Sequence, residues 1–136
     1  MYIPKYFALY EIVPEEIYHR NKSQAWQFFD DRALKTLDAL REKYGKMIVN
    51  DWFWGGVNDS RGFRTPDDLD GAELSPHKRG QAFDVSFDKY PAQKVRDDIL
   101  ENQDEFPYIN AIEDDVTWLH FDTRNCKRIM VFKPRV

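Results

Sequence analysis

Residues 75–84 read SPHKRGQAFD and set an imidazole, His77, and a carboxylate, Asp84, seven positions apart across Gly80. Residues 118–124, WLHFDTR, add a second imidazole, His120. Two histidines and an aspartate are ligand types that hold zinc through neutral ring nitrogen and carboxylate oxygen, and catalytic sites use three such ligands with water in the fourth position. A metal so held acidifies its water and polarises a substrate carbonyl, which brings amide hydrolysis within reach at neutral pH once a general base takes the proton. The same donors also suit iron or manganese. A lone histidine or a lone strand aspartate is ordinarily a surface or hydrogen-bonded residue, so the set carries the inference and no single member does.

These residues need elements that make them converge. AFDVSF, residues 82–87, alternates Phe83, Val85 and Phe87 with Ala82, Asp84 and Ser86, the period of a strand, so Asp84 is expected to face away from the core. In WLHFDT the same parity sets Leu119 and Phe121 against Trp118, His120 and Asp122. With both apolar faces on the helices, Asp84 and His120 emerge together on the other face of one antiparallel sheet, within reach of His77 from the preceding turn. Asp122 shares that face and is placed to orient His120.

The scaffold is legible as well. Residues 25–44 carry Trp26, Phe29, Ala33, Leu34, Leu37, Leu40 and Tyr44 at helical spacing, with Asp30 or Asp31 able to cap a break and Gly45 placed to end the helix. A short helix is expected over residues 14–19, and another from Pro91 to about Asn102 with Val95 and Ile99 inward. KMIVNDWFW, residues 46–54, has strand composition, ended by Gly55 and Gly56. A long polar loop punctuated by Gly62, Pro66, Gly71 and Pro76 follows. Strands around NAIE, WLHFDT and RIMVF complete an α+β chain, with turns at Asp114–Asp115 and near Asn125.

Composition narrows the function classes. The 136 residues, 42% apolar and 32% charged, suit one domain over 1–136 with one core. No apolar run approaches the roughly 20 residues of a membrane span, and no secretory leader is visible. The net charge of −4 lacks the basic face that phosphate neutralisation needs, so neither nucleic acid nor membrane is an expected partner. The single Cys126 excludes an internal disulfide and a thiolate-rich zinc site, and is expected to be a plain thiol. His19 reads as a surface residue. Trp52, Phe53 and Trp54 read as core, with a groove for sugars or peptide stems as the alternative.

Residues 75–84 match S-x-H-x(2)-G-x-A-x-D and thereby resemble the M15 zinc peptidases, which include D-alanyl-D-alanine carboxypeptidases, phage L-alanyl-D-glutamate endolysins and related murein endopeptidases, and whose fold the Hedgehog signalling domain shares. WLHFDTR is similar to the family's aromatic-x-H-x-D strand, YFALYEIV to its F-x-L-x-E segment, LKTLDALREKYG to its long helix and SRGFRTP to its S-G-Y-R-S-P loop. The resemblance implies a Hedgehog/D-Ala-D-Ala peptidase-like fold, an antiparallel sheet packed on helices, with zinc on His77, Asp84 and His120 and a peptidoglycan peptide as substrate. It assigns Ser75 to support of the turn, Gly80 to a tight approach, Ala82 to room at the site and Arg64 to the substrate carbonyl or carboxylate, with Arg61 as alternative. Where many members carry a glutamate three residues before the last histidine, this chain has Thr117. Branches that place the base at the end of the preceding strand make it Glu113, with Asp114 and Asp115 behind it. The expected function is a zinc metallopeptidase of phage or prophage origin acting on the cell wall. The rival is a non-catalytic zinc-binding virion or adaptor module, and a peptidase for D-amino-acid dipeptides outside murein is a further one.

Overall fold

The computed structural model describes residues 1–69, 75–124 and 129–134. Among these residues, three α-helices, α1 (Glu15–Asn21), α2 (Asp31–Tyr44) and α3 (Ala92–Glu101), accompany five strands, β1 (Met47–Ile48), β2 (Ala82–Phe87), β3 (Ala111–Glu113), β4 (Leu119–Asp122) and β5 (Met130–Phe132). The strands form one sheet in the order β1-β2-β4-β3-β5, antiparallel except for the β3–β5 pair. The chain is therefore mixed α+β. No helix among the described residues is long and apolar enough to cross a membrane.

Strand parity decides which side chains meet the helices. Phe83 and Val85 of β2, Leu119 and Phe121 of β4 and Ile112 of β3 are fully buried and join Leu34, Leu37 and Leu40 of α2 and Val95 and Ile99 of α3 in one apolar cluster. The helical period expected across residues 25–44 divides where Asp30 stands: a 3-10 turn covers Lys22–Phe28, and Asp30 caps α2 by accepting from the Arg32 amide at 2.9 Å. The Asp30 amide in turn donates to the Gly80 carbonyl at 2.9 Å, so the start of α2 rests on the turn that follows His77. The expected helix over 14–19 runs instead from Glu15 to Asn21, with Pro14 as its cap residue.

The expected strand at residues 46–54 is corrected. Only Met47 and Ile48 pair with β2, and Trp52–Trp54 form a 3-10 turn closed by Gly55 in the left-handed region. Asp51 overrides the aromatic run: its carboxylate accepts the Asn58 amide at 2.8 Å and its amide donates to the Asn58 carbonyl at 3.0 Å, which folds the segment back on itself. Phe53 and Trp54 end up exposed rather than in the core, with Phe53 stacked on Tyr10. Cys126, Gly71 and the turn near Asn125 lie outside the described residues.

Fully buried Asn50 ties the polar loop to the amino-terminal segment. Its side chain donates to the Val13 carbonyl at 3.2 Å and accepts the Arg61 amide at 2.9 Å. Gly62 packs so closely on residue 12 that a Cβ there would stand 2.3 Å from the Ile12 carbonyl oxygen. The loop is thus pinned at Arg61 and Gly62, immediately before Arg64.

Candidate metal centre

Antiparallel pairing of β2 with β4 makes Asp84 and His120 direct partners, both on the face away from the apolar cluster. That face is covered all the same: Asp84 and His120 are buried, with Arg64 Nη2 and His77 Nε2 set against the Asp84 carboxylate. His77 arrives from a 3-10 turn at Pro76–Arg79 whose cap residue Ser75 accepts the His77 amide at 3.3 Å. The turn ends at Gly80 with φ 68°, and a Cβ there would meet the Phe28 carbonyl oxygen at 1.9 Å, so only glycine fits against the residues leading into α2. The expected roles of Ser75 and Gly80 correspond to these contacts.

His77, Asp84 and His120 each offer one ligand atom, and these atoms lie within 4.8 Å of one another. Asp84 Oδ1 is 3.3 Å from His77 Nε2 and 2.8 Å from His120 Nδ1. An ion held at 2.0–2.2 Å in tetrahedral geometry separates its ligand atoms by about 3.4 Å, so the two Asp84 contacts lie close to the spacing an ion would set. The outward nitrogens are already engaged. His77 Nδ1 is 2.9 Å from the Gly62 carbonyl, which can only accept, leaving Nε2 toward Asp84. His120 Nε2 is 2.8 Å from Asp122 Oδ2, and Asp122, itself fully buried, accepts Arg124 Nε and Nη2 at 2.7 Å each. A carbonyl behind one imidazole and a carboxylate behind the other are the supports that fix ring orientation in metal sites. The residues present therefore fit a metal ion.

Charge follows this geometry. Burial alone would depress the His120 imidazole, but Asp122 and Asp84 on its two nitrogens outweigh it and hold its pKa up at about 9. Burial would raise the Asp84 carboxyl, yet His77 and His120 beside it keep it well below the usual carboxylate range.

Arg64 reaches the same point: its Nη2 lies 3.4 Å from Asp84 Oδ2, its Nε donates to the Ser60 carbonyl at 2.8 Å, and its amide donates to the His77 carbonyl at 3.1 Å. Arg61 points elsewhere, Nη1 donating to Ser86 Oγ at 3.1 Å, while its carbonyl accepts the Asp84 amide at 2.8 Å. A cleft of about 380 Å³ opens beside Asp84 and is lined by Arg61, Arg64, Ser86, Thr117 and Trp118 among others.

The three carboxylates considered as base separate cleanly. Register pairs Ala111 with Asp122 and Ile112 with Phe121, so continuing it sets Glu113 opposite His120 on the site face. Glu113 is half-buried; burial and Asp84 raise its pKa while His120, His77 and Arg64 pull against that rise. Asp114 instead faces α3, 3.6 Å from Arg96 Nε, and Asp115 sits exposed in the turn, 3.2 Å from Lys133 Nζ. Asp114 and Asp115 are thus paired with Arg96 and Lys133. His19 is exposed beside Glu15, away from the triad.

Sequence reasoning missed three supports. Gly62 acts through a backbone carbonyl, which leaves no side-chain signature. Arg124 follows Asp122 by two positions, and that parity was the available signal. Arg96, 2% exposed on the inward face of α3, donates to the carbonyls of Glu113, Val116 and Trp118 at 3.0–3.1 Å and so shapes the hairpin that carries Glu113 and His120. A cation one position from Val95 and three from Ile99 was the sign of it. Compared with protein-family models, with curated proteins and with solved structures, the chain matches none of them.

Proposed function

We propose that the protein is a zinc-dependent peptidase of the M15 type, with a Hedgehog/D-Ala-D-Ala peptidase-like fold, hydrolysing an amide bond in peptidoglycan stem or cross-link peptides. The observation that carries this reading is the buried His77–Asp84–His120 triad, its outward nitrogens tied to Gly62 and Asp122, at the edge of a cleft that also holds Arg64. Zinc on these three residues would supply a more acidic water and a polarised carbonyl. The rest falls to the chain. Glu113 takes the proton from the attacking water at its carboxylate, and its burial suits a base that must later release that proton to the amine nitrogen as the C–N bond breaks. Arg64 Nη2, already turned toward Asp84, donates to the oxyanion that forms on the carbonyl oxygen. Gly62 and Asp122 hold the two imidazoles in orientation throughout.

Thr117 at the family's usual base position favours one other reading, a non-catalytic zinc-binding module. Elemental analysis of the purified protein together with zymography on isolated murein separates the two. The expected result is about one zinc per chain and clearing that disappears with a chelator and in His120→Ala. Stoichiometric zinc with intact murein would leave the module, and no metal uptake would remove both.

A further inference from the structure

The 3-10 turn Trp52–Trp54 has no part in the triad, yet its rings are both exposed and fixed. Phe53 is 48% exposed and Trp54 59%, an arrangement that leaves apolar ring surface in water. Tyr10 stacks on one face of Phe53, centroids 3.8 Å apart and planes within 18°, and meets Trp54 edge-on at 5.6 Å. The Trp52 indole N–H donates to the Val13 carbonyl at 2.8 Å and anchors the turn. Two glycines give it its shape: Gly55 has φ 88°, and a Cβ on Gly56 would stand 2.2 Å from the Asp51 carboxylate that closes the loop. Rings locked before a ligand arrives lose little freedom when one binds.

Size, charge and position decide what such a face can hold. Aromatic side chains offer about 150–250 Å² each, so the exposed parts of Phe53 and Trp54 amount to roughly 200 Å². A stable protein interface needs about 800 Å² per partner, so the face suits a short stretch of sugar better than a folded chain. Residues 50–60, NDWFWGGVNDS, hold two aspartates and no lysine or arginine, which disfavours an anionic lipid surface. The Asn58 carbonyl accepts the Asp51 and Trp52 amides at 3.0 and 3.2 Å, and Asn58 also lines the cleft beside Asp84, so the aromatic turn and the cleft meet at this residue.

We propose that Tyr10, Phe53 and Trp54 form a stacking platform for the sugar rings of a glycan strand whose attached peptide enters the adjoining cleft. The negative face of an aromatic ring attracts the polarised C–H bonds along one face of a pyranose, a contact that needs no charge on either side. The proposal rests on the peptidase reading for the identity of the sugar, the N-acetylhexosamine polymer that carries stem peptides, and assigns it a surface outside the triad.

Chitotetraose, a peptide-free β-linked N-acetylglucosamine tetramer, is the probe, titrated into the full chain with and without zinc. In wild-type NMR spectra the Trp54 indole and Phe53 ring resonances should shift while those of Trp118 in the cleft stay in place, which decides the matter even if variants fold poorly. Phe53→Ala and Trp54→Ala should each weaken tetramer binding about 2- to 10-fold, the worth of one stacked ring, and Trp54→Phe should retain most of the affinity. On intact murein Trp54→Ala should raise the half-saturating concentration by a similar factor at unchanged kcat, and leave cleavage of a soluble stem peptide as it was. Absence of ring shifts with the tetramer overturns the platform, as does equal binding by the wild type and both alanine variants. Self-association abolished by Trp54→Ala, seen in sedimentation without tetramer binding, would make the face an interface between copies, and Trp54-dependent binding to phosphatidylglycerol vesicles in place of the tetramer would make it a membrane contact; either overturns the proposal. Tetramer binding without murein cleavage would keep the platform and remove the peptidase, whereas cleavage without tetramer binding would do the reverse.

Discussion

The two faces of the sheet are built from the same strands on opposite principles. On the helix side, Phe83, Val85, Ile112, Leu119 and Phe121 are excluded from water and hold together by area and fit. On the other, Asp84, His120 and Asp122 are buried to nearly the same degree, but each is specified by a named partner. Apolar packing tolerates exchange of shape for shape. A buried polar row does not, because removing one member strands the next. Stability should therefore be concentrated on one face and chemistry on the other, one residue apart along each strand.

Substitutions one position apart put this contrast at risk. The largest effect is expected from His120→Ala, which removes a ligand and leaves Asp84 and Asp122 facing each other across a hole; zinc stoichiometry should fall to near zero by elemental analysis. Retained stoichiometric zinc would mean the triad is not the site. Its neighbour Phe121→Ala should cost about 3–5 kcal/mol in denaturant unfolding, the range for emptying a large aromatic from a core, with zinc still bound by the folded fraction. Glu113→Gln is isosteric and touches neither set, so unfolding and zinc content should hold while kcat drops about 10²- to 10⁴-fold. An undiminished kcat would take the base role from Glu113. Asp122→Asn should weaken zinc affinity about 10- to 100-fold in competition with a chelator, as loss of the carboxylate behind a ligating imidazole does elsewhere. Least of all, Asp115→Asn in the exposed turn should change stability by less than about 0.5 kcal/mol and zinc affinity not at all; a larger change would show that the two faces are not separable at the hairpin.

The same contrast explains what could be read from the amino-acid sequence. Period-two alternation was enough to put Asp84 and His120 on one face, because parity is local and a pleated strand leaves no choice. That these residues are buried was not legible: the cover comes from the loop with Gly62 and Arg64, whose path is set by Asn50 and by the close approach of Gly62 to Ile12. The aromatic run at residues 52–54 misled for a related reason, since its strand composition was overruled by the Asp51–Asn58 closure. Helix ends were clearer. Asp30 and Gly45 carry the capping chemistry their positions require, and α2 begins and stops beside them.

Arg96 gives the hairpin a dependence of another kind. Its guanidinium holds the carbonyls of Glu113, Val116 and Trp118 from a helix that precedes the hairpin in the chain, so the spacing between Glu113 and His120 is dictated from outside the segment that contains them. The site is accordingly not portable. Transplanting residues 75–84 and 111–124 to another sheet would carry every proposed ligand and the base, and leave behind both the guanidinium that shapes one arm and the Gly62 carbonyl that aims the other.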